Sequence, residues 1–234
     1  MSSNALMKRA RKAVYRRIRY HWLTECTQHF VRRRPTLNLK AIKLELEVEP
    51  GSVMIDCGAN VGDVTSLFAR SGATVYAFEP NPICYSILAK RFRAMPTVHC
   101  FNNGVMDQRC VLRLSTPAPH GHWDALEMTV ASSFTPSAFS EDNHAAQEVE
   151  VECIDLDEFI RSLNRRVRLL KLDIEGSELK VLNRLMDSRT MDLIDQVVVE
   201  THEQQMPHLL EATHALRARI RREGLEGKIR LDWY

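Results

Sequence analysis

The sequence predicts an α/β fold with a mostly parallel sheet, and two observations support this. From residue 53 onwards, short apolar strands alternate with helices of about ten residues, which is typical of parallel strands joined by right-handed crossovers. Several of these strands end directly in Asp or Glu, at the sheet edge where ligands bind in such folds. With 234 residues, of which 44% are apolar, the chain is long enough for one complete core.

The elements follow in order along the chain. The predicted strands are residues 53–56, 74–78, 97–101, 111–114, 148–153, 168–172, 196–200 and 229–234. The predicted helices are residues 63–70, 83–93, 156–164, 177–186 and 207–222. We expect residues 148–153 to form an edge strand. Residues 116–144 are rich in Pro, Ser and His and are predicted to be irregular, and a loop of this length is expected to form part of an acceptor site or a lid.

The N-terminal region differs in charge from the rest. Residues 1–40 contain 11 Lys or Arg and one acid, so they carry +10, whereas the remaining residues carry −8. Apolar residues recur every four positions within residues 5–30, which predicts a basic amphipathic helix. We therefore predict a helical extension and linker over residues 1–40 and the main domain over residues 41–234.

Three interpretations of the basic helix are open. It packs on the main domain, or residues 5–34 bind an anionic membrane surface or an acidic protein partner, or the segment is a targeting presequence. The acidic body disfavours a nucleic-acid partner.

No apolar run reaches 18 residues, and the six cysteines contain no CxxC pair and follow no signal peptide. We expect a cytoplasmic protein, with peripheral binding at the inner membrane surface left open by the helix.

A glycine loop follows the first predicted strand. It contains Gly58 and Gly62 but lacks both the third glycine of the dinucleotide fingerprint and the Gly-Lys-Ser/Thr of a phosphate loop. The acids Asp56 and Asp63 on either side would repel a pyrophosphate. They suit a ligand with a cationic amine and hydroxyls, such as S-adenosylmethionine, with Gly58 allowing close approach and Asp56 orienting the loop or the ammonium. An ordinary tight turn remains the alternative.

Glu79 ends the second strand, 21 residues after Gly58. An acid at this position can accept hydrogen bonds from two ribose hydroxyls, both in nicotinamide-binding and in adenosylmethionine-binding folds. Asn102 follows the third strand, where it could contact an adenine or form a turn.

Further acids follow two later strands. Asp173, Glu175 and Glu178 lie within six residues, and their mutual repulsion is costly unless they bind cations or share protons. Capping of the next helix accounts for Glu178 but not for the other two. Glu200 and His202 follow the strand at 196–200, and an imidazole titrates near neutrality, so His202 is a candidate general base.

These motifs, in this order, resemble the FkbM family of S-adenosylmethionine-dependent methyltransferases. The matching runs are residues 55–62 (Ile-Asp-Cys-Gly-Ala-Asn-Val-Gly), 77–82 (Ala-Phe-Glu-Pro-Asn-Pro), 155–158 (Asp-Leu-Asp-Glu), 170–178 (Leu-Lys-Leu-Asp-Ile-Glu-Gly-Ser-Glu) and 199–202 (Val-Glu-Thr-His). The family usually has Thr where Asp155 stands, and we expect little consequence. The resemblance covers residues 50–203.

The resemblance implies a class I methyltransferase (Rossmann-like) fold, with a seven-stranded sheet and helices on both faces. It also implies S-adenosylmethionine as cofactor and O-methylation of a hydroxyl on a sugar, a glycan or a small natural product. We expect these residues to bind the cofactor: Asp56, Gly58, Ala59, Asn60, Gly62, Glu79, Asn102 and Asp173.

For catalysis, we expect His202 or Asp173 to act as the base, with Glu175 and Glu200 positioning hydroxyls. Alternatively, Asp173 and Glu200 could hold a divalent cation that acidifies the hydroxyl. Two other functions remain open: a nicotinamide-dependent oxidoreductase, and a non-catalytic partner of a glycan assembly complex.

Overall fold

The computed structural model describes residues 48–117, 146–204 and 206–231. The predicted N-terminal helix and most of the long irregular segment lie outside these residues, so both stay predictions, as do the proposed domain boundary and the localisation. The described strands are β1 (Val53–Cys57), β2 (Thr74–Phe78), β3 (Val98–Phe101), β4 (Gly104–Met106), β5 (Cys110–Pro117), β6 (Ala146–Asp155), β7 (Val167–Leu172), β8 (Ile194–Val199) and β9 (Ile229–Arg230).

Six of these strands form one parallel sheet in the order β3-β2-β1-β7-β8-β9. The order runs outwards from β1 in both directions, so the connections change direction next to β1, between it and β7. The predicted α/β fold with a mostly parallel sheet is confirmed. The described residues supply six strands to this sheet, one fewer than the seven that the resemblance implies, and residues 232–234 of the last predicted strand lie outside them.

Five α-helices connect the strands within the described residues: α1 (Asp63–Ala69), α2 (Pro82–Phe92), α3 (Leu156–Ser162), α4 (Glu178–Asp187) and α5 (Leu210–Arg222). Each begins within three residues of its predicted start. A short 3₁₀ turn, Pro207–Leu209, precedes α5. Side-chain caps explain two of the starts: Asn81 accepts from the N–H groups of the first turn of α2, and Asp155 does the same for α3.

The helices cover both faces of the sheet because side chains alternate along each strand. Ile55 and Cys57 of β1 belong to a buried cluster that also contains residues of α3, α4 and α5. Asp56 points to the opposite face, where its carboxylate accepts a hydrogen bond from Thr65 of α1. The central strands are thus buried on both sides, which explains their continuous apolar sequences.

A second, three-stranded sheet has the order β4-β6-β5. Strand β6 pairs in parallel with β4 and antiparallel with β5, so it is the central strand and the predicted edge position is wrong. The alternating sequence of β6 shows only that one of its faces is buried. It does not show how many neighbours the strand has. Strand β4 was absent from the sequence-based assignment because it has only three residues.

No helix among the described residues has both the length and the apolar character needed to span a bilayer.

The cap of α2 gives a first test of this fold. Asn81 is 1% exposed, and its Oδ1 accepts from the N–H of Ile83 at 2.9 Å and that of Cys84 at 3.5 Å. We expect Asn81→Ala to lower the free energy of unfolding by about 1–2 kcal/mol because these N–H groups lose their acceptor. Urea unfolding followed by circular dichroism measures the change.

Ser86→Ala, on the exposed face of the same helix, is the control and should change stability by less than about 0.5 kcal/mol. Equal stability of the two variants would contradict the capping role.

Candidate functional site

Four strand ends meet at one edge of the main sheet. In the register of the sheet, Cys57 pairs with both Phe78 and Leu172, and Leu172 pairs with Val199. The residues that follow these strands therefore leave the sheet side by side. They are Gly58, Glu79, Asp173 and Glu200.

A cavity lies at this edge. Its polar lining comes from the strand-end loops and consists of Gly58, Asn60, Glu79, Asn103, Asp173 and Glu175. Its remaining wall is formed by Phe78, Pro80, Val105, Leu114 and Ile174. Two of these residues belong to β4 and β5, so the small sheet closes one side of the cavity. An apolar wall with a few convergent polar groups is typical of small-molecule sites.

The two predicted glycines are required for different reasons. A Cβ on Gly58 would lie 1.8 Å from the backbone oxygen of Asp173, so Gly58 allows the loops after β1 and β7 to approach closely. Gly62 has φ 89° and directly precedes α1 as its N-cap residue, and a Cβ there would lie 2.5 Å from Phe92. Gly58 lines the cavity, whereas Gly62 packs against α2. Ala59 is buried, and its N–H donates to Phe78 O at 2.9 Å, so it fixes the loop to β2.

Glu79 is placed where the sequence predicts a ribose-binding acid. It is 6% exposed, its Oε2 accepts from Asn60 N at 2.7 Å, and its Oε1 accepts from Asn81 N at 2.8 Å. Burial raises the pKa of Glu79 to about 7, although these two backbone N–H donors oppose the rise. Each oxygen retains a second lone pair for a ligand hydroxyl.

Asn102 does not extend into the cavity. Its side-chain amide donates to the carbonyls of Glu79 and Pro80 at 2.9 and 3.0 Å, so the structure favours the turn-forming role over the adenine contact. The turn holds the loop that carries Glu79.

Asp56 lies behind the loop, 0% exposed, so it contacts the protein rather than the cavity. Its Oδ2 accepts from the Thr65 hydroxyl at 2.6 Å, and its Oδ1 lies 3.5 Å from the ammonium of Lys171. The structure thus favours loop orientation over contact with a ligand ammonium.

Lys171 is a site residue that the sequence did not single out. Its ammonium, 3% exposed, donates to the carbonyls of Gly58 at 2.7 Å and Cys57 at 3.2 Å and lies 3.1 Å from Asp173 Oδ2. Burial lowers the pKa of Lys171, but Asp173 and Asp56 outweigh burial and raise it, so the ammonium stays charged. A lysine in the middle of an apolar strand, directly before the strand-end acid, is the signal that could have identified it.

Three predicted catalytic residues come together beside the cavity. His202 Nε2 lies 3.7 Å from Asp173 Oδ1 and 3.5 Å from Glu175 Oε2. On the other side of the ring, Nδ1 lies 3.2 Å from Glu178 Oε1. Glu178 also accepts from the N–H groups of Ile174 and Gly176, at 2.7 and 2.9 Å. It therefore holds the loop before α4 and faces the imidazole. These N–H groups precede the helix and the Ser177 side chain makes no cap hydrogen bond, so the predicted capping role is wrong.

The charges of this cluster are strongly coupled. Burial lowers the pKa of His202, but the three surrounding carboxylates outweigh burial and raise it to about 9. Burial raises the pKa of Glu175 to about 7; His202 opposes this rise, and the neighbouring acids, including Glu200, add to it. The backbone of Glu200 donates to Leu172 O at 2.9 Å, which fixes the end of β8 beside β7. Near neutrality the isolated cluster holds at least one proton.

Comparison with known protein families gives one match over most of the chain. The model of the methyltransferase FkbM domain matches residues 56–225. This range contains the site residues described above.

Individual proteins give similar results. The chain is 33% identical to the 31-O-demethyl-FK506 methyltransferase FkbM of Streptomyces tacrolimicus in an alignment 182 residues long that covers 68% of each chain. It is 30% identical to methyltransferase sdnD of Sordaria araneosa in an alignment 174 residues long. This alignment covers 64% of this chain and 66% of the relative, just under two thirds of its length. Among solved structures, an rRNA methylase from Streptococcus thermophilus aligns over 72% of both chains with 10% identity and a TM-score of 0.38.

The buried ammonium gives a test of how the site is held. We expect Lys171→Met to lower the free energy of unfolding by about 3–5 kcal/mol, because it leaves the Asp56 carboxylate buried without a counter-charge. Chemical denaturation measures this loss. Adding Asp56→Asn to Lys171→Met should recover part of it, since the stranded charge is then absent.

Lys180→Met, at an exposed position of α4, is the matched control and should leave stability within about 0.5 kcal/mol of the parent. A Lys171→Met protein as stable as this control would contradict the role of the ammonium.

Proposed function

Because this chain belongs to the FkbM methyltransferase family, we propose that it transfers the methyl group of S-adenosylmethionine to a hydroxyl oxygen of a small molecule or glycan. The observation that carries the proposal is a single cavity lined by Glu79 on one side and by Asp173 and Glu175 on the other. The first side suits a ribose and the second suits a reacting hydroxyl. A donor and an acceptor could therefore meet within it.

The residues near β1 and β2 fit the donor. Glu79 offers a buried carboxylate whose two oxygens are already oriented by backbone N–H groups, so ribose hydroxyls find acceptors in fixed positions. Gly58 and Asn60 of the glycine loop line the same cavity. When bound, S-adenosylmethionine supplies a positively charged sulfonium with an activated methyl group, and the lining acids match that charge.

The proposed methyl transfer requires the chain to take up or pass on the proton of the acceptor hydroxyl. The acceptor oxygen forms a bond to the methyl carbon, the carbon–sulfur bond breaks with its electron pair remaining on sulfur, and the hydroxyl proton must leave. We place this proton on the cluster of Asp173, Glu175 and His202. Within it, Asp173 Oδ2 lies 3.1 Å from the Lys171 ammonium, and Glu175 has a pKa of about 7 and reaches the cavity. Glu175 is therefore the better base, in preference to the His202 or Asp173 that the sequence suggested.

The choice of oxygen as acceptor has two supports. A proton acceptor beside the cavity is needed for a hydroxyl, which must lose its proton as the new bond forms. In addition, the relative from Streptomyces tacrolimicus is named for an O-demethyl substrate. We propose that the present chain likewise methylates a hydroxyl oxygen. We do not propose that it acts on the substrate of this relative.

The other functions considered from the sequence have less support. The glycine loop lacks the third glycine of nicotinamide-binding folds, and the family match over residues 56–225 is to methyltransferases. A non-catalytic partner would bind the donor without turnover, and the assay below tests for it. Recognition of a membrane surface or protein by residues 5–34 is a separate proposal, based on their positive charge.

The ribose-binding role of Glu79 predicts a pH dependence of donor binding. The ionised carboxylate is the form that accepts two hydroxyls, and its pKa in the free protein is about 7. Affinity for S-adenosylmethionine should therefore fall as the pH is lowered from 8 to 6. Glu79→Gln should weaken binding by about 10- to 100-fold at pH 8 and flatten this dependence. Isothermal titration calorimetry measures both effects.

The matched control is Asp63→Asn, an acid of α1 that pairs with Arg91 outside the cavity lining. Its affinity should stay close to that of the parent and keep the pH dependence. If Glu79→Gln binds as tightly as this control, Glu79 does not bind the ribose.

Methyl transfer itself is tested with methyl-tritiated S-adenosylmethionine and fractionated glycan and lipid extracts. We expect tritium in a product whose NMR spectrum shows a new O-methyl group. Glu175→Gln should reduce turnover by about 10²- to 10⁴-fold because it removes the proton acceptor, and the loss should remain at saturating S-adenosylmethionine, where a weaker attraction for the sulfonium no longer limits the rate. Donor binding without transfer to any fraction would support the non-catalytic alternative.

A further inference from the structure

We infer that Asp173, Glu175 and His202 form a binding site for one divalent transition-metal cation, of which Mn²⁺ is the representative. The inference rests on the proposed function only for what the cation does, which is to bind the acceptor hydroxyl. The site itself is argued from the geometry of the three side chains. It replaces the pair of Asp173 and Glu200 that the sequence suggested.

The spacing of the ligand atoms suits one ion. Each residue offers one atom, and the three atoms lie within 4.8 Å of one another, with His202 Nε2 at 3.7 Å from Asp173 Oδ1 and 3.5 Å from Glu175 Oε2. Metal ligands lie about 2.0–2.2 Å from such a cation, so two of them are at most about 4.4 Å apart. The two measured separations fall inside this limit, and a small movement of the half-exposed Glu175 side chain completes the set.

The imidazole is held in the way that metal-binding histidines are held. His202 is 6% exposed and directs Nε2 towards the two carboxylates, while Nδ1 faces the carboxylate of Glu178, which is 1% exposed. The 3.2 Å separation is a charge contact rather than an aligned hydrogen bond, and it favours a proton on Nδ1, which leaves the Nε2 lone pair for a metal. Glu178 is in turn fixed by the N–H groups of Ile174 and Gly176.

The two carboxylate oxygens of Asp173 have different roles in the proposed site. Its Oδ2 lies 3.1 Å from the Lys171 ammonium, whereas its Oδ1 faces His202. One oxygen is thus oriented by the buried lysine and the other is directed into the cluster. The backbone of Asp173 is also fixed, because its N–H donates to Cys57 O at 3.2 Å.

The charge of the surroundings favours a cation. Asp173, Glu175 and Glu178 all face His202, and the ammonium of Lys171 contacts only the first of these three carboxylates. A dication between Asp173 and Glu175 would reduce the repulsion between them. Two carboxylate oxygens and one imidazole nitrogen form a mixed set that suits Mn²⁺ or Zn²⁺ better than the all-oxygen set of Ca²⁺.

The position of the site gives the cation its role. Asp173 and Glu175 line the same cavity as Glu79, so an ion between them faces the space where the acceptor is expected. Three protein ligands leave coordination positions for the acceptor oxygen. A bound cation lowers the pKa of a coordinated hydroxyl, so its proton can pass to solvent and Glu175 need not act as the base.

The experiment measures Mn²⁺ binding to the full chain after treatment with chelator and without donor or acceptor. Electron paramagnetic resonance reports the free Mn²⁺ that remains in a titration. We expect one Mn²⁺ per chain, and we expect Glu175→Gln to weaken binding at least tenfold. Glu175→Asn is a second variant, because Asn tolerates the left-handed backbone of residue 175 (φ 55°).

Two further acid-to-amide variants define the ligand set. Glu158→Gln changes an exposed acid of α3 that pairs with Arg109, and it should leave Mn²⁺ binding unchanged. Glu200→Gln should retain stoichiometric binding. Loss of binding in Glu200→Gln with retention in both Glu175 variants would overturn the assignment in favour of the earlier pair. Circular dichroism confirms that each variant is folded.

Donor binding to the same chelator-treated protein separates this inference from the proposed function. If S-adenosylmethionine binds and Mn²⁺ does not, the cation site is wrong and the cluster itself must take the proton. If one Mn²⁺ binds and S-adenosylmethionine does not, the cation site is supported and the proposed function is contradicted. Methyl transfer that survives chelation, together with no Mn²⁺ binding, also overturns the inference.

Discussion

The ammonium of Lys171 is the interaction on which the site depends. It joins the ends of β1 and β7 by contacting the carbonyls of Cys57 and Gly58 together with the carboxylates of Asp56 and Asp173. Without the buried cation, these oxygen atoms would repel one another in a region that is largely shielded from water by the surrounding chain. With it, the two loops approach so closely that Gly58 has no room for a Cβ. The close approach places the glycine loop and the acids after β7 in one cavity.

The same edge of the sheet contains several residues with unusual backbone conformations. Asn60 and Glu175 have φ values of 50° and 55°, and Gly58, Gly62 and Gly176 also have positive φ. Such conformations cost free energy at the non-glycine positions, and they persist where the surrounding structure determines them. Here hydrogen bonds supply that constraint: Glu79 accepts from Asn60 N, and Glu178 accepts from Gly176 N. Each strained loop is thus held by a buried carboxylate, so the acids of the site are structural as well as chemical.

The sequence was sufficient to predict which residues share the sheet edge, because parallel strands end at the same edge and the acids directly follow apolar strands. It therefore identified Glu79, Asp173 and His202. For Lys171 the sequence contains only an indirect signal, its place in an apolar strand shortly before the strand-end acid, because its partner carbonyls lie 113 and 114 residues away and depend on the pairing of β1 with β7. The central position of β6 was missed for a similar reason, since alternation records burial and not the number of neighbouring strands.

The distribution of charge also affects which ligand the cavity retains. Glu79 and Glu175 have raised pKa values because burial disfavours their charged forms, so a cationic ligand that pairs with these carboxylates gains more than it would in water. The donor carries a sulfonium, whereas the sulfur of the product is neutral after methyl transfer. In the proposed reaction, the ribose contacts with Glu79 would be available to both, whereas the attraction to the acids after β7 would act only on the donor. Transfer of the methyl group would therefore weaken the electrostatic attraction of the cavity for its own product. It would do so without any movement of the chain, because the change of charge occurs in the ligand.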